Sequence, residues 1–495
     1  MLLLSGMHNE RSPMKESPMF SYPVGTLATL RASAWIGSLL GLLLGLNGCA
    51  GLSASTSLSS PDAGIHSAFT VQTKDGNASA RVITSADRCP EISIDGQTQA
   101  MQLRAAPGTM PLRSGAQKDT KAAVFPLRSC EAPLPRGTTS AKVGGVSLPL
   151  APAVAQRILI IADTGCRLKA SEQAFQLCND AKDWPFAEVV KSAAALKPDL
   201  VIHIGDMHYR ESPCPATLAG CAGSPWGYGM DAWTADFFQP AQPLLKIAPW
   251  VFVRGNHESC ARAGQGWYRF FAVQPWSAAR SCNDPANDDE ADFPDPYGVP
   301  LNADTQLIVF DSSRTGTKDL RPGDTAYGKF LSALQQVDQL SGKMSHNFFL
   351  SHHPVLAFAP ASQPGKIYNG NPGLQSVMRT LHPGRLFGDE IDVAMHGHVH
   401  LFEALNFSSQ HPTSFVLGNS GSQNEGALPE VLPAGAQPSP GAMVASFLTR
   451  SAYGFALLTA KKSDWHMTEY TVDGKPIIEC DLVKSTSNCR RVGVE

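Results

Sequence analysis

From Arg157 onward the hydrophobic residues gather in short, nearly unbroken runs: RILIIA at 157–162, LVIHI at 200–204, WVFV at 250–253, QLIVF at 306–310, NFFL at 347–350 and IDVAM at 391–395. Apolar residues on both parities of a short run are the pattern of a strand buried on both faces. Between the runs, apolar positions recur with helical spacing and predict helices over 186–196, 233–245, 326–340 and 372–381. Strands alternating with helices predict an α/β domain in layers. Strands expected over 414–417 and 453–459 would complete a second sheet. Residues 68–150 read differently: short apolar runs at 69–72 and 80–84 are broken by Gly, Pro, Asp and Ser without a helical period, which predicts a small β-rich domain ending in the Pro- and Ala-rich stretch 148–155. The Pro-, Ala- and Gly-rich segment 426–441 reads as a long surface loop. No internal repeat is visible.

Composition adds limits. A chain of 495 residues that is 43% hydrophobic can bury a large core. A formal net charge of -3 without a basic run gives no electrostatic reason for a nucleic-acid partner, so a phosphate would have to be attracted locally. Near the N-terminus, Arg31 precedes an uncharged stretch, 32–46, that ends in Leu46-Asn47-Gly48-Cys49. That stretch is short for a membrane span and reads as an export signal over 1–49, for which Met19 is a better start than Met1. Its ending resembles a bacterial lipobox, with Asn47 an atypical occupant. A lipid anchor on Cys49 and ordinary cleavage both stay open. Residues 50–67 read as a flexible tether. The ten cysteines besides Cys49 fit an oxidising compartment, with close pairs at Cys214 and Cys221, Cys260 and Cys282, and Cys480 and Cys489, the last within a tail at 476–495. No CxxC spacing occurs, so zinc fingers are a poor account of them. The expected location is the cell envelope, periplasmic or lipid-anchored, or the medium.

Candidate chemistry follows directly after five of the strands: DTG at 163–165, GDMHY at 205–209, GNHE at 255–258, SHHP at 351–354 and GHVH at 397–400. Loops at strand ends are where α/β sheets place ligands. Singly each segment has a bland reading. Asp163 and Asn256 suit helix caps, Tyr209 suits a packed phenol, and His398 and His400 would share one face of a continuing strand whether or not they bind anything. Their order and common position are what chance explains poorly.

In that order the segments resemble the calcineurin-like metallophosphoesterases, and within them the purple acid phosphatases, whose blocks are DxG, GDxxY, GNH followed by an acid, VxxH and GHxH. The fourth block differs, because Phe349 stands where Val is usual before His352. The resemblance covers about residues 157–425. It implies a layered αββα sandwich over 156–475, here preceded by the small β-rich domain. It implies two metal ions, one held by Asp163, Asp206, Tyr209 and His400 and the other by Asp206, Asn256, His352 and His398, with Asp206 bridging. A carboxylate- and phenolate-rich set suits Fe(III), and imidazoles with an amide suit Zn, Mn or Fe(II). The implied reaction is hydrolysis of a phosphate ester by in-line attack of hydroxide on phosphorus, with His257 as general acid or transition-state donor. Glu258 is expected to orient a neighbour. His203, His353 and His396 are expected to be structural or to support the ligands, and His208 to face substrate or solvent.

Three functions stay open on the sequence: an acid phosphatase with an iron-containing centre, a metallophosphodiesterase or nucleotidase with two divalent ions, and a surface binding lipoprotein with a non-catalytic metal site. Oligomeric state is not readable.

Overall fold

All six near-continuous apolar runs form strands, at Arg157–Ile161, Leu200–Ile204, Trp250–Val253, Thr305–Val309, His346–Ser351 and Ile391–His396. The computed structural model describes residues 64–493 apart from 114–120, 362, 364, 365, 425 and 463. The expected export signal, Cys49 and nearly all of the expected tether lie outside the described residues.

The first three strands pair in parallel in one sheet, Ile158 to Ile161 against Leu200 to His203 and Val201 to Ile204 against Trp250 to Val253. The last three pair in parallel in a second, seven-stranded sheet. Alternate residues of each strand explain the layers. Ile158, Ile160, Ile202, Ile204, Val251 and Val253 meet Leu307, Val309, Phe348, Leu350, Val393 and Met395 in a core between the sheets. The opposite parity of the first sheet, with Leu159, Ile161, Val201 and Phe252, packs on the helix Phe186–Ala195 and on Trp233 and Phe237. The outer face of the second, with Ile308, Phe349 and Ala394, packs on the helices Thr325–Ser341 and Pro372–Leu381. Each such aliphatic side chain contributes roughly 1.5–3 kcal/mol when fully buried. The result is the αββα sandwich with a β-rich N-terminal region.

Two expectations need correction. The strand Gly454–Lys461 joins the first sheet, antiparallel to Arg157–Ile161, and not the second. Both of its faces are apolar, so it needs a doubly covered place. Phe455 packs under the helix layer while Ala456 and Leu458 enter the core between the sheets. The expected helix over 233–245 is instead three short pieces, Met230–Trp233, a wide π turn at Thr234–Phe238, and Gln242–Leu245. Pro240 and Pro243 lack the N–H that a continuous helix would need there.

Four of the N-terminal strands do not stand apart. Ile65–Gln72 begins within the span read as tether and lies parallel to Trp250–Val253 at Val71 and Trp250. With Ala78–Thr84, Arg128–Leu134 and Gln102–Ala105 it lengthens the first sheet at one edge. The strands Gly454–Lys461, Asp464–Thr471, Pro476–Val483 and Thr486–Arg491 lengthen it at the other, giving eleven strands.

Among the described residues five disulfides are present: Cys89–Cys130, Cys166–Cys178, Cys214–Cys221, Cys260–Cys282 and Cys480–Cys489. They include the three close pairs anticipated from spacing. Cys260–Cys282 closes 22 residues around the aromatic cluster of Trp267, Phe270 and Phe271. Replacing both of its cysteines by serine is expected to cost about 3 kcal/mol, read as a lower urea midpoint with an unchanged slope.

Candidate metal centre

The five polar segments converge at one edge of the two sheets because each leaves its strand through a tight backbone turn. Three of the side chains in question sit on backbone that L residues seldom adopt, with φ of 54° at Asp163, 54° at Asp206 and 70° at His398. Strain of this kind costs on the order of 1–3 kcal/mol per residue and persists only where the surroundings enforce it. Here the loops interlock: Asp163 N–H donates to Gly205 O at 3.0 Å, Thr164 N–H to Asp206 O at 3.0 Å, and His398 N–H to Asp163 Oδ2 at 2.8 Å. Glycine is required at two of the turns. A Cβ on Gly205, whose φ is +86°, would lie 2.4 Å from His352 Nδ1, and one on Gly255 would lie 2.0 Å from Asp206 Oδ1.

All seven candidate ligands come together. The Tyr209 hydroxyl lies 2.9 Å from Asp163 Oδ1, 2.9 Å from Asp206 Oδ2 and 2.8 Å from His400 Nε2. On the other side of Asp206, His352 Nε2 is 3.0 Å from Asp206 Oδ2 and 3.2 Å from Asn256 Oδ1, and His398 Nδ1 is 3.1 Å from the same Asn256 oxygen. Asp206 thus stands between two groups of ligating atoms. His398 and His400 reach the site from an irregular turn after the strand Ile391–His396, and a continuing strand, the bland reading of their spacing, is not what forms.

The chemistry of these atoms is that of a cation site. His352 donates Nδ1–H to Ile204 O at 2.9 Å, and His400 donates Nδ1–H to Gln423 O at 2.6 Å. Both Nε2 atoms are therefore left as lone pairs aimed at carboxylate, phenol and amide oxygens. Acceptors packed about 3 Å apart repel unless positive charge lies among them. Protonation responds accordingly: against the cost of burial, the Asp206 carboxylate pushes His352 up to about 9. Burial opposes charge on Asp206 as well, yet His352 and His257 hold it well below the usual carboxylate range. Of the cysteines, Cys260 and Cys282 lie near Asp292, but their sulfurs are spent on each other.

Around this centre lies a shell that sequence reasoning reached only in part. Glu258 is fully buried. Its Oε1 accepts Met207 N–H at 2.9 Å and His208 N–H at 3.0 Å, while Oε2 accepts Asp206 N–H at 3.0 Å and Gly255 N–H at 3.1 Å. It orients the Asp206 loop, as expected, and does not face the cluster. His257 is buried, with Nδ1 2.8 Å from Glu211 Oε1 and Nε2 3.8 Å from Asp206 Oδ2. Burial first and Arg262 next push its imidazole down to about 4, against Asp206 and Glu211. Glu211 itself is held well below the usual range, against burial, by Arg262 and His257. Glu211, Arg262 and Asp236 were missed. Asp236 joins the Cys166 and Tyr209 loops through N–H bonds of 3.0 and 2.8 Å. Their only local signal is proximity to the motif in the case of Glu211, two residues beyond Tyr209.

His203, His208 and His396 turn away from the cluster, whereas His353 packs beside it. His203 bonds Thr164 Oγ1 at 2.9 Å beneath the helix layer, and His396 bonds Ser351 Oγ at 3.0 Å. His208 is buried against Trp233 and Tyr228, so it faces neither solvent nor the ligands. His353 bonds Ser312 Oγ at 3.1 Å and lies with its ring 4.3 Å from that of His398.

The family model of the calcineurin-like phosphoesterases matches residues 156–402. No match to the chain is found among curated protein sequences. Among solved structures, the chain is similar in fold to the purple acid phosphatase PPD1 from yellow lupin (Lupinus luteus) seeds, at 15% identity over 85% of this chain and 73% of that one, with a TM-score of 0.51. It is likewise similar to PhoD, at 12% identity over 87% of this chain and 92% of that one, with a TM-score of 0.50. Through the domain that follows its β-rich N-terminal region, the chain belongs to the calcineurin-like phosphoesterases, which are metal-dependent enzymes.

Proposed function

We propose that this enzyme is a dinuclear phosphomonoesterase of purple acid phosphatase type. The observation that carries the reading is the Tyr209 phenol seated among Asp163, Asp206 and His400. In this reading Asp163, Asp206, Tyr209 and His400 hold Fe(III), and Asp206, Asn256, His352 and His398 hold Zn, Mn or Fe(II). Bound ions supply the positive charge that binds a phosphoryl group and acidifies water for attack on phosphorus. The chain's own residues do the rest. Asp206 keeps the two ligand groups in register, and Glu258 keeps Asp206 on its strained turn. His257 lies between Glu211, 2.8 Å from its Nδ1, and Arg262, whose Nη2 is 2.8 Å from its Nε2, and in this reading the protonated ring passes its Nε2 proton to the leaving alkoxide oxygen. An imidazole pushed down to about 4 carries that proton in acid, which suits hydrolysis at acidic pH. Export to the envelope or medium is part of the same reading, supported by the five disulfides.

Iron-loaded protein is expected to show a visible charge-transfer band that Tyr209→Phe removes, and to hydrolyse p-nitrophenyl phosphate faster than bis-p-nitrophenyl phosphate. A fully iron-loaded protein without the band would remove the phenolate from the centre. Faster turnover of the diester would favour the phosphodiesterase reading.

A further inference from the structure

The cluster opens on one side into a cavity of about 620 Å³ that shares His398 with it. Its walls come from four places. Pro354, Ala357 and Phe358 follow the ligand His352 directly, Ala359 and Tyr368 face each other across the two-stranded ribbon Phe358–Pro360 and Ile367–Asn369, Pro372 and Gln375 begin the helix Pro372–Leu381, and Thr317 comes from the loop after Thr305–Val309. The walls are preformed. Asn371 N–H donates to Pro354 O at 2.8 Å, and Gln375 Nε2 donates to Val355 O and to Pro438 O, both at 2.8 Å. Gly370 makes the close approach possible, since a Cβ there would lie 1.9 Å from Val355 O.

Size and lining both bear on what the cavity takes. It falls within the range of sites for organic ligands, roughly 300–1,000 Å³, and is far larger than a phosphoryl group needs. Among the described residues, no Lys, Arg, Asp or Glu lines it. A leaving group bearing further phosphates or carboxylates would lose water there without gaining a countercharge. Most of the amide capacity is already spent: Asn371 accepts from Leu374 N–H and Thr315 Oγ1 and donates to Gly316 O, while Gln375 bonds the two carbonyls above. What is presented to a ligand is a face of the half-buried Pro372 and of Ala359 and, at the lip, Tyr368, which is 61% exposed, over a floor formed by the buried Pro354, Phe358 and Val399. Flat apolar walls with a few polar groups at the rim suit a ring.

We propose that this cavity is the leaving-group subsite of the phosphoesterase, and that it selects phosphate esters whose alcohol is an uncharged ring system. The proposal rests on the phosphoesterase reading of the cluster beside it. The test is calorimetric binding of three phosphonates to metal-loaded protein: phenylphosphonate, methylphosphonate and 2-carboxyethylphosphonate. Phenylphosphonate is expected to bind roughly tenfold tighter than methylphosphonate or more, and the carboxylate no tighter than methylphosphonate. Ala359→Glu and Tyr368→Ala, both at the lip and away from the ligands, are expected to bring the phenyl-to-methyl ratio close to one with methylphosphonate affinity unchanged. Equal binding of phenyl and methyl compounds, a ratio that neither variant alters, or tighter binding of the carboxylate would each overturn the subsite while leaving the phosphoesterase reading intact. Failure of all three phosphonates to bind would sink that reading and the subsite with it.

Discussion

Asp206→Asn is expected to lower phosphate-ester turnover by roughly 10³-fold or more and to abolish the stabilisation that bound metal gives. The reason is that Asp206 does two jobs that substitution separates. Its Oδ1 accepts His257 N–H at 2.8 Å, and an asparagine oxygen can do the same. Its Oδ2 faces the Tyr209 hydroxyl and His352 Nε2; an amide NH₂ there keeps both contacts but gives up the charge that holds a proton on His352 in the metal-free protein. One negative charge near Asp163 also disappears, which relieves repulsion between two buried carboxylates. What cannot survive is the shared ligand at the centre of both groups. Added metal at about 100 times its Kd should stabilise the native enzyme by about 2.7 kcal/mol, and that increment should vanish in Asp206→Asn. Thermal denaturation with and without chelator, alongside elemental analysis, checks it. A variant that retained both metals would contradict this account of Asp206.

Asp206 also marks how far the sequence could be read. Apolar runs located the strands within a residue or two, because a strand buried on both faces has little freedom in composition. The motif residues behind those runs did converge, since strand ends in a layered sandwich face one edge. The backbone that aims them was invisible: nothing about Asp163, Asp206 or His398 as residue types announces a positive φ. The placement of Gly454–Lys461 was likewise not readable, because its apolar pattern fits either sheet and only the open edge at Arg157–Ile161 decides. Continuity of the N-terminal strands with the first sheet depends on a brief parallel contact, Val71 against Trp250, between residues far apart in the chain. Glu211, Arg262 and Asp236 escaped for the same reason. They matter through partners distant in sequence, and a single chain does not reveal such pairs.

Glu258 gives the sharpest contrast with Asp206, and Glu258→Gln is expected to destabilise the fold by about 3–5 kcal/mol. Two oxygens each accept two backbone N–H groups, so the loops after Leu200–Ile204 and Trp250–Val253 are tied to one side chain. Burial and the Asp206 carboxylate push the carboxyl upward, but with all four acceptor sites taken no place remains for an acid proton. Glutamine keeps the shape and loses half the acceptors. Its NH₂ must meet either Met207 and His208 or Asp206 and Gly255, donor against donor, in a site without solvent. The same loss slackens the strained turn at Asp206, so metal affinity should fall by about 10–100-fold. The two substitutions therefore divide differently: Asp206→Asn acts chiefly through the metal, whereas Glu258→Gln takes two of four backbone hydrogen bonds from the metal-free protein and lowers its urea midpoint as well. Were Glu258→Gln to lose metal while the metal-free midpoint stayed unchanged, Glu258 would have to be a ligand and the four N–H bonds incidental. The geometry predicts the opposite, because its carboxylate points into the backbone of the Asp206 turn and away from every atom that could share a cation with it.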